Sequence, residues 1–290
     1  MIKIKLLPLP TGLTFKTGVG FSRLSILDLS EQGHQPMLNE TEDVVITFNG
    51  EIYNYKEIRA ELINKGFIFR SKSDTEVILK GYEYWGKEIV NKLNGMFAFC
   101  LLDIKKEIIW LARDRMGLKP LFYHQSEKDS TWASEIKSIL KANWVKPEIN
   151  WDGLSANFYL QTTPPPITCF RNIFSVKPGS WIEVNINSLE KNEQIYWKIP
   201  VGITTKHNSI DEAAEDLEDR LKKILELQSL ADVPIISLMS GGIDSTTLTA
   251  LLSDRQPSFQ CYTMGFDGTG EKNDEIPQAV AMAEKLGIKQ

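Results

Sequence analysis

A glycine turn between two regular elements is the part of this sequence best suited to hold an anion. Residues 240–245 read Ser-Gly-Gly-Ile-Asp-Ser. They follow an apolar run at 233–239, typical of a strand, and lead into a helical pattern at 246–252. Glycines let the backbone approach a ligand closely, and the free N–H groups at a helix start attract negative charge. With the hydroxyls of Ser240 and Ser245 as added donors, the segment predicts a phosphate-binding loop.

Two interpretations of this turn stay open on its residues alone. It lacks the lysine of G-x-x-x-x-G-K-[ST], so a loop that transfers a γ-phosphate is a poor match. The alternative to an anion site is an ordinary glycine-bearing turn with Asp244 in the first turn of the helix.

A second group of polar residues stands at the end of another strand pattern, Val44 to Phe48. Asn49-Gly50 is a strong signal for a tight turn, and Glu51 follows it. An amide, a permissive glycine and a carboxylate together could grip a small polar ligand, with a plain hairpin turn as the alternative. Arg23 and Asp74 are ordinary by themselves, a solvated cation and a helix cap.

Composition limits the class of protein. A length of 290 residues allows two domains, and 42% hydrophobic with 24% charged residues is typical of a folded soluble protein. A net charge of −5 gives no long-range attraction to nucleic acid or to an anionic membrane. Three widely spaced cysteines favour reduced thiols in the cytoplasm over a metal site. No segment is apolar enough for a membrane helix.

The elements that must position these residues fall into two groups. Patterning predicts helices at 55–65, with Ile58, Leu62 and Ile63 on one face, and from Ser73 or Asp74 onward. Strands are predicted at 97–102, 108–112, 181–184 and 194–197, a short helix at 135–140 and a proline loop at 162–168. Together these indicate a mostly antiparallel sheet packed against helices. From 210 the order is helix, strand, glycine turn, helix, strand at 259–264 and helix at 276–286, which predicts a parallel α/β sheet.

Six ordered segments resemble glutamine-hydrolysing asparagine synthetase, a family of class-II glutamine amidotransferases. They are residues 23–37, 48–54, 73–76, 93–99, 111–121 and 133–137. The turn at 240–245 resembles the pyrophosphate loop of the N-type ATP pyrophosphatases and stands at the distance expected for that family. The resemblance covers nearly the whole chain.

The resemblance implies the fold and the reaction. Residues 1–200 would form an α+β glutaminase-type domain of the N-terminal-nucleophile class, with antiparallel sheets and helices. Residues 208–290 would begin an α/β ATP pyrophosphatase domain with a parallel sheet. Glutamine hydrolysis would release ammonia, which a β-aspartyl-AMP intermediate made from aspartate and ATP would capture to give asparagine. Homodimerisation is a further expectation from the resemblance.

The resemblance also implies roles in the first domain. Arg23 would clamp the α-carboxylate of glutamine as a bidentate donor, while Glu51 and Asp74 would hold its α-ammonium group. The side-chain amide of Asn49 and the N–H of Gly50 would form an oxyanion hole.

In the second domain the residues expected to bind the ATP phosphates are Ser240, Gly241, Gly242, Asp244 and Ser245. Asp244 would act through Mg²⁺, because a carboxylate beside a polyphosphate needs a cation between them. Leu238 and Met264 would flank the adenine, with a place in the hydrophobic core as the alternative.

The sequence departs from the family at both ends. It begins Met1-Ile2 where the family exposes a catalytic cysteine, Cys100 falls in a predicted buried strand, and the chain stops at Gln290. We therefore expect a fragment of a longer enzyme that is inactive alone. Two alternatives stay open: a relative with another acceptor, such as a polysaccharide sugar, a peptide or a β-lactam, and a remnant that binds glutamine without turnover.

Overall fold

The chain divides into two compact units, Met1–Val201 and Gly202–Gln290. The structure is a computed structural model, and it describes residues 3–7, 17–21, 27–28, 30–202, 207–255, 259–265 and 275–289. Each unit is described by itself below.

Antiparallel strands dominate the first unit. The strands are β1 (Lys3–Leu7), β2 (Thr17–Phe21), β3 (Met37–Leu38), β4 (Val44–Ile52), β5 (Gly95–Asp103), β6 (Ile108–Arg113), β7 (Phe122–Gln125), β8 (Ser130–Ala133), β9 (Ile173–Ser175), β10 (Ser180–Asn185) and β11 (Lys191–Ile195). The helices are α1 (Tyr55–Asn64), α2 (Asp74–Trp85), α3 (Ile89–Lys92), α4 (Ile136–Ile139) and α5 (Trp151–Leu160). Six strands form one sheet in the order β11-β10-β6-β5-β4-β3, three form a second in the order β8-β7-β9, and β1 pairs with β2.

The central strands of the six-stranded sheet are covered on both faces. Along β5, Phe97, Phe99 and Leu101 belong to a core cluster with residues of α1 and α2. The alternate residues Cys100 and Leu102 belong to a second cluster with residues of β7 and β10. The two-residue period of a strand thus puts helices on one face and further strands on the other. The predicted antiparallel sheet packed against helices is confirmed.

The predicted turn at Asn49-Gly50 is wrong. Both residues lie inside β4, where Asn49 pairs with Ala98 and Gly50 with Phe97. The glycine is required by crowding, because a Cβ on Gly50 would lie 2.0 Å from the carbonyl oxygen of Met96, and its φ of +152° is one that side chains disfavour. The strand continues to Ile52, and the chain turns only before α1.

The helical predictions hold in part. Ile58 and Leu62 of α1 are buried, but Ile63 is 51% exposed, so its assignment to the buried face is wrong. Ser73 is the N-cap of α2, and its side chain accepts a hydrogen bond from the N–H of Thr75 at 3.1 Å. This cap places Asp74 as the first residue of the helix.

The second unit alternates helices and strands. Its elements are α6 (Ile210–Gln228), β12 (Ser237–Leu238), α7 (Ile243–Ser253), β13 (Cys261–Tyr262) and α8 (Ile276–Leu286). β12 and β13 pair in parallel, as predicted, although each strand is shorter than its apolar run in the sequence. Among the residues with described structure, no helix is both long and apolar enough to cross a membrane.

Candidate functional site

One hydrogen bond from the backbone of β4 brings two predicted site residues of the first unit, Glu51 and Asp74, close together. The N–H of Ile52 donates to Oδ2 of Asp74 at 3.0 Å. Since Glu51 precedes Ile52 at the end of β4, the bond fixes the start of α2 beside this strand end. The end of β4 and the start of α2 are separated in the sequence, but their packing places Glu51 near Asp74.

Burial makes this acidic pair costly in its ionised form. Asp74 is 5% exposed, and burial raises its pKa to about 6, with the negative charge of Glu51 as a smaller cause and backbone N–H donors opposing it. Burial also raises the pKa of Glu51, and the charge of Lys119 partly offsets this. Oε1 of Glu51 is buried and has no hydrogen-bond partner among the described residues. A cationic ligand would reduce the repulsion between Glu51 and Asp74 and would give Oε1 of Glu51 a hydrogen-bond donor.

The geometry of β4 places the N–H of Gly50 on the strand edge that also faces Asp74. N–H groups alternate between the two edges of a strand, and residues 48, 50 and 52 share one edge. At that edge the N–H of Phe48 donates to Oε1 of Gln35, and the N–H of Ile52 donates to Asp74. The N–H of Gly50 lies between them and points away from β5.

One cavity of the first unit collects these groups. Asn49, Gly50, Glu51 and Asp74 all line it, together with Gln35, Lys119 and Ser134. The side-chain amide nitrogen of Asn49 lies 3.5 Å from the hydroxyl oxygen of Ser134. Arg23, the predicted clamp for a carboxylate, lies outside the described residues.

Gln35 links two sides of the cavity, although no local pattern in the sequence marks it as a site residue. Its side-chain oxygen Oε1 accepts a hydrogen bond from the N–H of Phe48 at 2.6 Å, and its side-chain nitrogen Nε2 donates to the hydroxyl of Thr75 at 3.2 Å. These partners precede Asn49 and follow Asp74 in the chain. Gln35, Lys119 and Ser134 stand within the segments that carry the family resemblance, which was the signal available in the sequence.

The glycine turn of the second unit is folded as a compact loop. The hydroxyl oxygens of Ser240 and Ser245 are 3.1 Å apart, and the N–H of Ser240 donates to Oγ of Ser245 at 3.3 Å. Gly242 is the N-cap of α7 and supplies no side chain to its first turn. The start of the helix thus keeps its N–H groups available to an anion, beside two hydroxyl groups.

Both glycine carbonyls of this loop are turned toward protein donors. The oxygen of Gly241 accepts from the side-chain amide of Gln278 at 2.9 Å, and that of Gly242 accepts from the N–H of Thr246 at 3.0 Å. Gly241 has a φ of +80° and is buried against the first turn of α8. A carbonyl facing an anion would repel it, so this arrangement favours anion binding.

The remaining three residues predicted for the ATP site are exposed. Leu238 at the end of β12 is 62% exposed and Met264 after β13 is 71% exposed, so neither is a core residue. Asp244 is also exposed, at the start of α7. Where the structure describes the chain, no group of three or more His, Cys, Asp or Glu side chains could enclose a metal. One exposed carboxylate suits Mg²⁺ that is held mainly by phosphate and water.

Comparisons with known proteins agree with this division. A family model described as a glutamine amidotransferase domain matches residues 12–197, and one described as asparagine synthase matches residues 216–290. The chain is 34% identical over 283 residues to a putative glutamine-hydrolysing asparagine synthetase 2 of Methanocaldococcus jannaschii, covering 91% of this chain and 53% of the relative. It is 35% identical over 271 residues to the glutamine-hydrolysing asparagine synthetase 1 of Bacillus subtilis, covering 93% and 42%.

Another relative has a different name. The chain is 32% identical over 288 residues to amidase chry2 of Gibberella zeae, covering 93% of this chain and 42% of the relative. The chain thus spans about half the length, or less, of these curated relatives. The amidotransferase model covers well over half of the 290 residues. The chain therefore belongs to the glutamine amidotransferase domain family, and an asparagine synthase segment follows that domain.

Proposed function

We propose that this chain is the glutamine-binding and ATP-binding part of an enzyme that makes asparagine from aspartate, with ammonia from glutamine. ATP would activate aspartate as β-aspartyl-AMP, releasing pyrophosphate, and ammonia would displace AMP. The asparagine synthetases among the relatives support the reaction, and the two sites described above support its division between the units. The reduced thiols favour a cytoplasmic location, and the family resemblance suggests a homodimer.

The observation that carries the proposal is the acidic pair beside the open edge of β4. The α-ammonium group of glutamine would bind between Glu51 and Asp74, giving Oε1 of Glu51 its missing partner. Arg23 is proposed to bind the α-carboxylate. With both ends of the amino acid held, the side-chain carbonyl would lie at the N–H of Gly50 and the amide of Asn49, which would stabilise negative charge on its oxygen during hydrolysis.

The attacking thiol is a separate question from binding. Burial of Cys100 within β5 raises its pKa, so this thiol is neither exposed nor ionised at neutral pH. The residues proposed above would therefore supply glutamine recognition and the oxyanion hole, but not the nucleophile. In the family named above, an amino-terminal cysteine supplies the nucleophile.

In the second unit the phosphates of ATP would lie at the start of α7. Ser240 and Ser245 would donate hydroxyl hydrogen bonds, and the N–H groups of Gly241 and Gly242 would face the same oxygens. Mg²⁺, held by Asp244 and the phosphates, would neutralise charge as pyrophosphate leaves. Leu238 and Met264, exposed beside this loop, would contact the two faces of the adenine.

Glutamine recognition is tested by calorimetry on the full chain. We expect Glu51→Gln to weaken glutamine binding about ten- to a hundredfold, because a charge-assisted bond is lost. Glutaramate, which is glutamine without its α-amine, should bind the wild type and Glu51→Gln equally weakly. Glu57→Gln, on the exposed face of α1, is the matched control. Equal affinity of wild type and Glu51→Gln for glutamine would overturn the proposed site.

A second candidate differs only in the acceptor. The similarity to amidase chry2 supports an acceptor other than aspartate as this second candidate. The native protein purified from its source cell should release pyrophosphate from ATP on addition of glutamine and aspartate together. Release that needs glutamine but is indifferent to aspartate would exclude asparagine synthesis and leave the amidotransferase assignment standing.

A further inference from the structure

A glutamine outside the glycine loop is hydrogen-bonded to the backbone of that loop. Gln278 lies in the first turn of α8, and its side-chain amide donates to the carbonyl oxygen of Gly241 at 2.9 Å. The contact crosses 37 residues of sequence. It is reinforced by close packing, since a Cβ on Gly241 would lie 2.8 Å from the backbone nitrogen of Ala279. The start of α8 therefore forms the back wall of the loop.

The bond fixes one peptide plane. In a planar trans peptide, the carbonyl of Gly241 and the N–H of Gly242 point in opposite directions. Holding the Gly241 oxygen toward α8 therefore directs the Gly242 N–H away from α8. The peptide lies between two glycines, which tolerate φ and ψ values of either sign, so the backbone itself offers little resistance to a flip of this plane.

A flip would change the charge that the loop presents. It would replace a positive N–H dipole with a negative carbonyl dipole at the place where an anion would bind. The other glycine carbonyl is already bonded within α7, so the Gly241 peptide is the one whose orientation depends on a side chain from another element.

We propose that Gln278 is a positioning residue that holds the Gly241–Gly242 peptide in its anion-binding orientation. The inference rests on the proposed ATP site, since it concerns binding of the polyphosphate at that loop. Gln278 acts through the backbone and need not contact the nucleotide. The lost preference should equal that of one hydrogen bond, about three- to tenfold in affinity.

The test compares Gln278→Met, which keeps length and loses the donor, with Gln228→Met at the exposed end of α6. Binding of ATP and of inorganic pyrophosphate, each with Mg²⁺, is measured by calorimetry on the full chain. We expect Gln278→Met to weaken both ligands by the same factor and Gln228→Met to change neither. Equal loss for both ligands would place the effect at the phosphates, because pyrophosphate has no adenosine.

A second readout needs no ligand. Hydrogen bonding to a carbonyl shifts the ¹⁵N resonance of the next amide, so the Gly242 resonance should move in Gln278→Met and stay in Gln228→Met. If the wild type binds ATP, then an unmoved Gly242 resonance in Gln278→Met, or an affinity of Gln278→Met equal to that of the wild type, would overturn the role of Gln278 alone. A wild type that binds neither ATP nor pyrophosphate would overturn the proposed ATP site and this inference together.

Discussion

Removing the charge of Asp74 should stabilise the first unit while weakening glutamine binding at the proposed site. The carboxyl group of Asp74 has a pKa of about 6 in the folded protein against an ordinary value of 3.8. At 1.36 kcal/mol per pH unit, this difference makes ionisation of the folded protein cost about 3 kcal/mol. The position at the start of α2 favours a negative charge, but burial outweighs that benefit.

The sign follows from proton linkage. Because the pKa is raised on folding, the folded state binds this proton more tightly than the unfolded state does. The contribution of the protonated group to stability is fully present below pH 3.8 and is lost as the pH rises through about 6. The neutral side chain of Asp74→Asn can still accept from the N–H of Ile52. We therefore expect Asp74→Asn to be about 2–3 kcal/mol more stable than wild type at pH 8 and about equal to it at pH 4.

Urea unfolding followed by tryptophan fluorescence measures this difference for the first unit alone, since all seven tryptophans lie before residue 202. The matched control is Asp152→Asn, an exposed aspartate in the first turn of α5. Its carboxylate is solvated, so its substitution should give no stabilisation at pH 8. A stability difference between Asp74→Asn and wild type that is the same at pH 4 and pH 8, or that favours wild type, would refute the reasoning.

Three further outcomes are expected. Gly50→Ala should cost about 3 kcal/mol of unfolding free energy, because its Cβ would lie 2.0 Å from a backbone oxygen, whereas Gly66→Ala, with a φ of +93° but open space, should cost about 1 kcal/mol in the same urea assay. Glutamine affinity, measured by calorimetry, should fall as the pH drops below about 6 and Asp74 takes up its proton; constant affinity between pH 7.5 and 5 would contradict this. Gly241→Ala should weaken pyrophosphate binding at least about tenfold, since its Cβ would strike α8, while Gly242→Ala has room and should bind nearly as wild type; the reverse order would exclude the packing explanation.

The local sequence determined most elements of the first unit. The continuous apolar runs at 97–102 and 108–112 become β5 and β6, whose residues are buried on both faces of the sheet. The cap at Ser73 and the buried positions Val77, Ile78 and Tyr82 define α2 from short-range patterns. The glycine turn at 240–245 likewise connects β12 to α7, since its order of strand, glycines and helix is a local property.

Tertiary structure decided how the site residues are used. Asn49-Gly50 has the composition of a turn, yet pairing with β5 extends the strand through both residues. The N–H of Gly50 therefore lies on the same strand edge as the N–H of Ile52, which donates to Asp74. The pKa of Asp74 depends on burial, and no local pattern in its own segment encodes that burial.

The second unit shows the same division. Two glycines with a helix after them indicate an anion loop, because backbone freedom and the helix dipole are local properties. The orientation of the peptide between those glycines depends on Gln278, 37 residues away. A side chain that distant meets the loop only after β13 and α8 have packed, so the sequence determined which groups are available, and the fold decided which of them face a ligand.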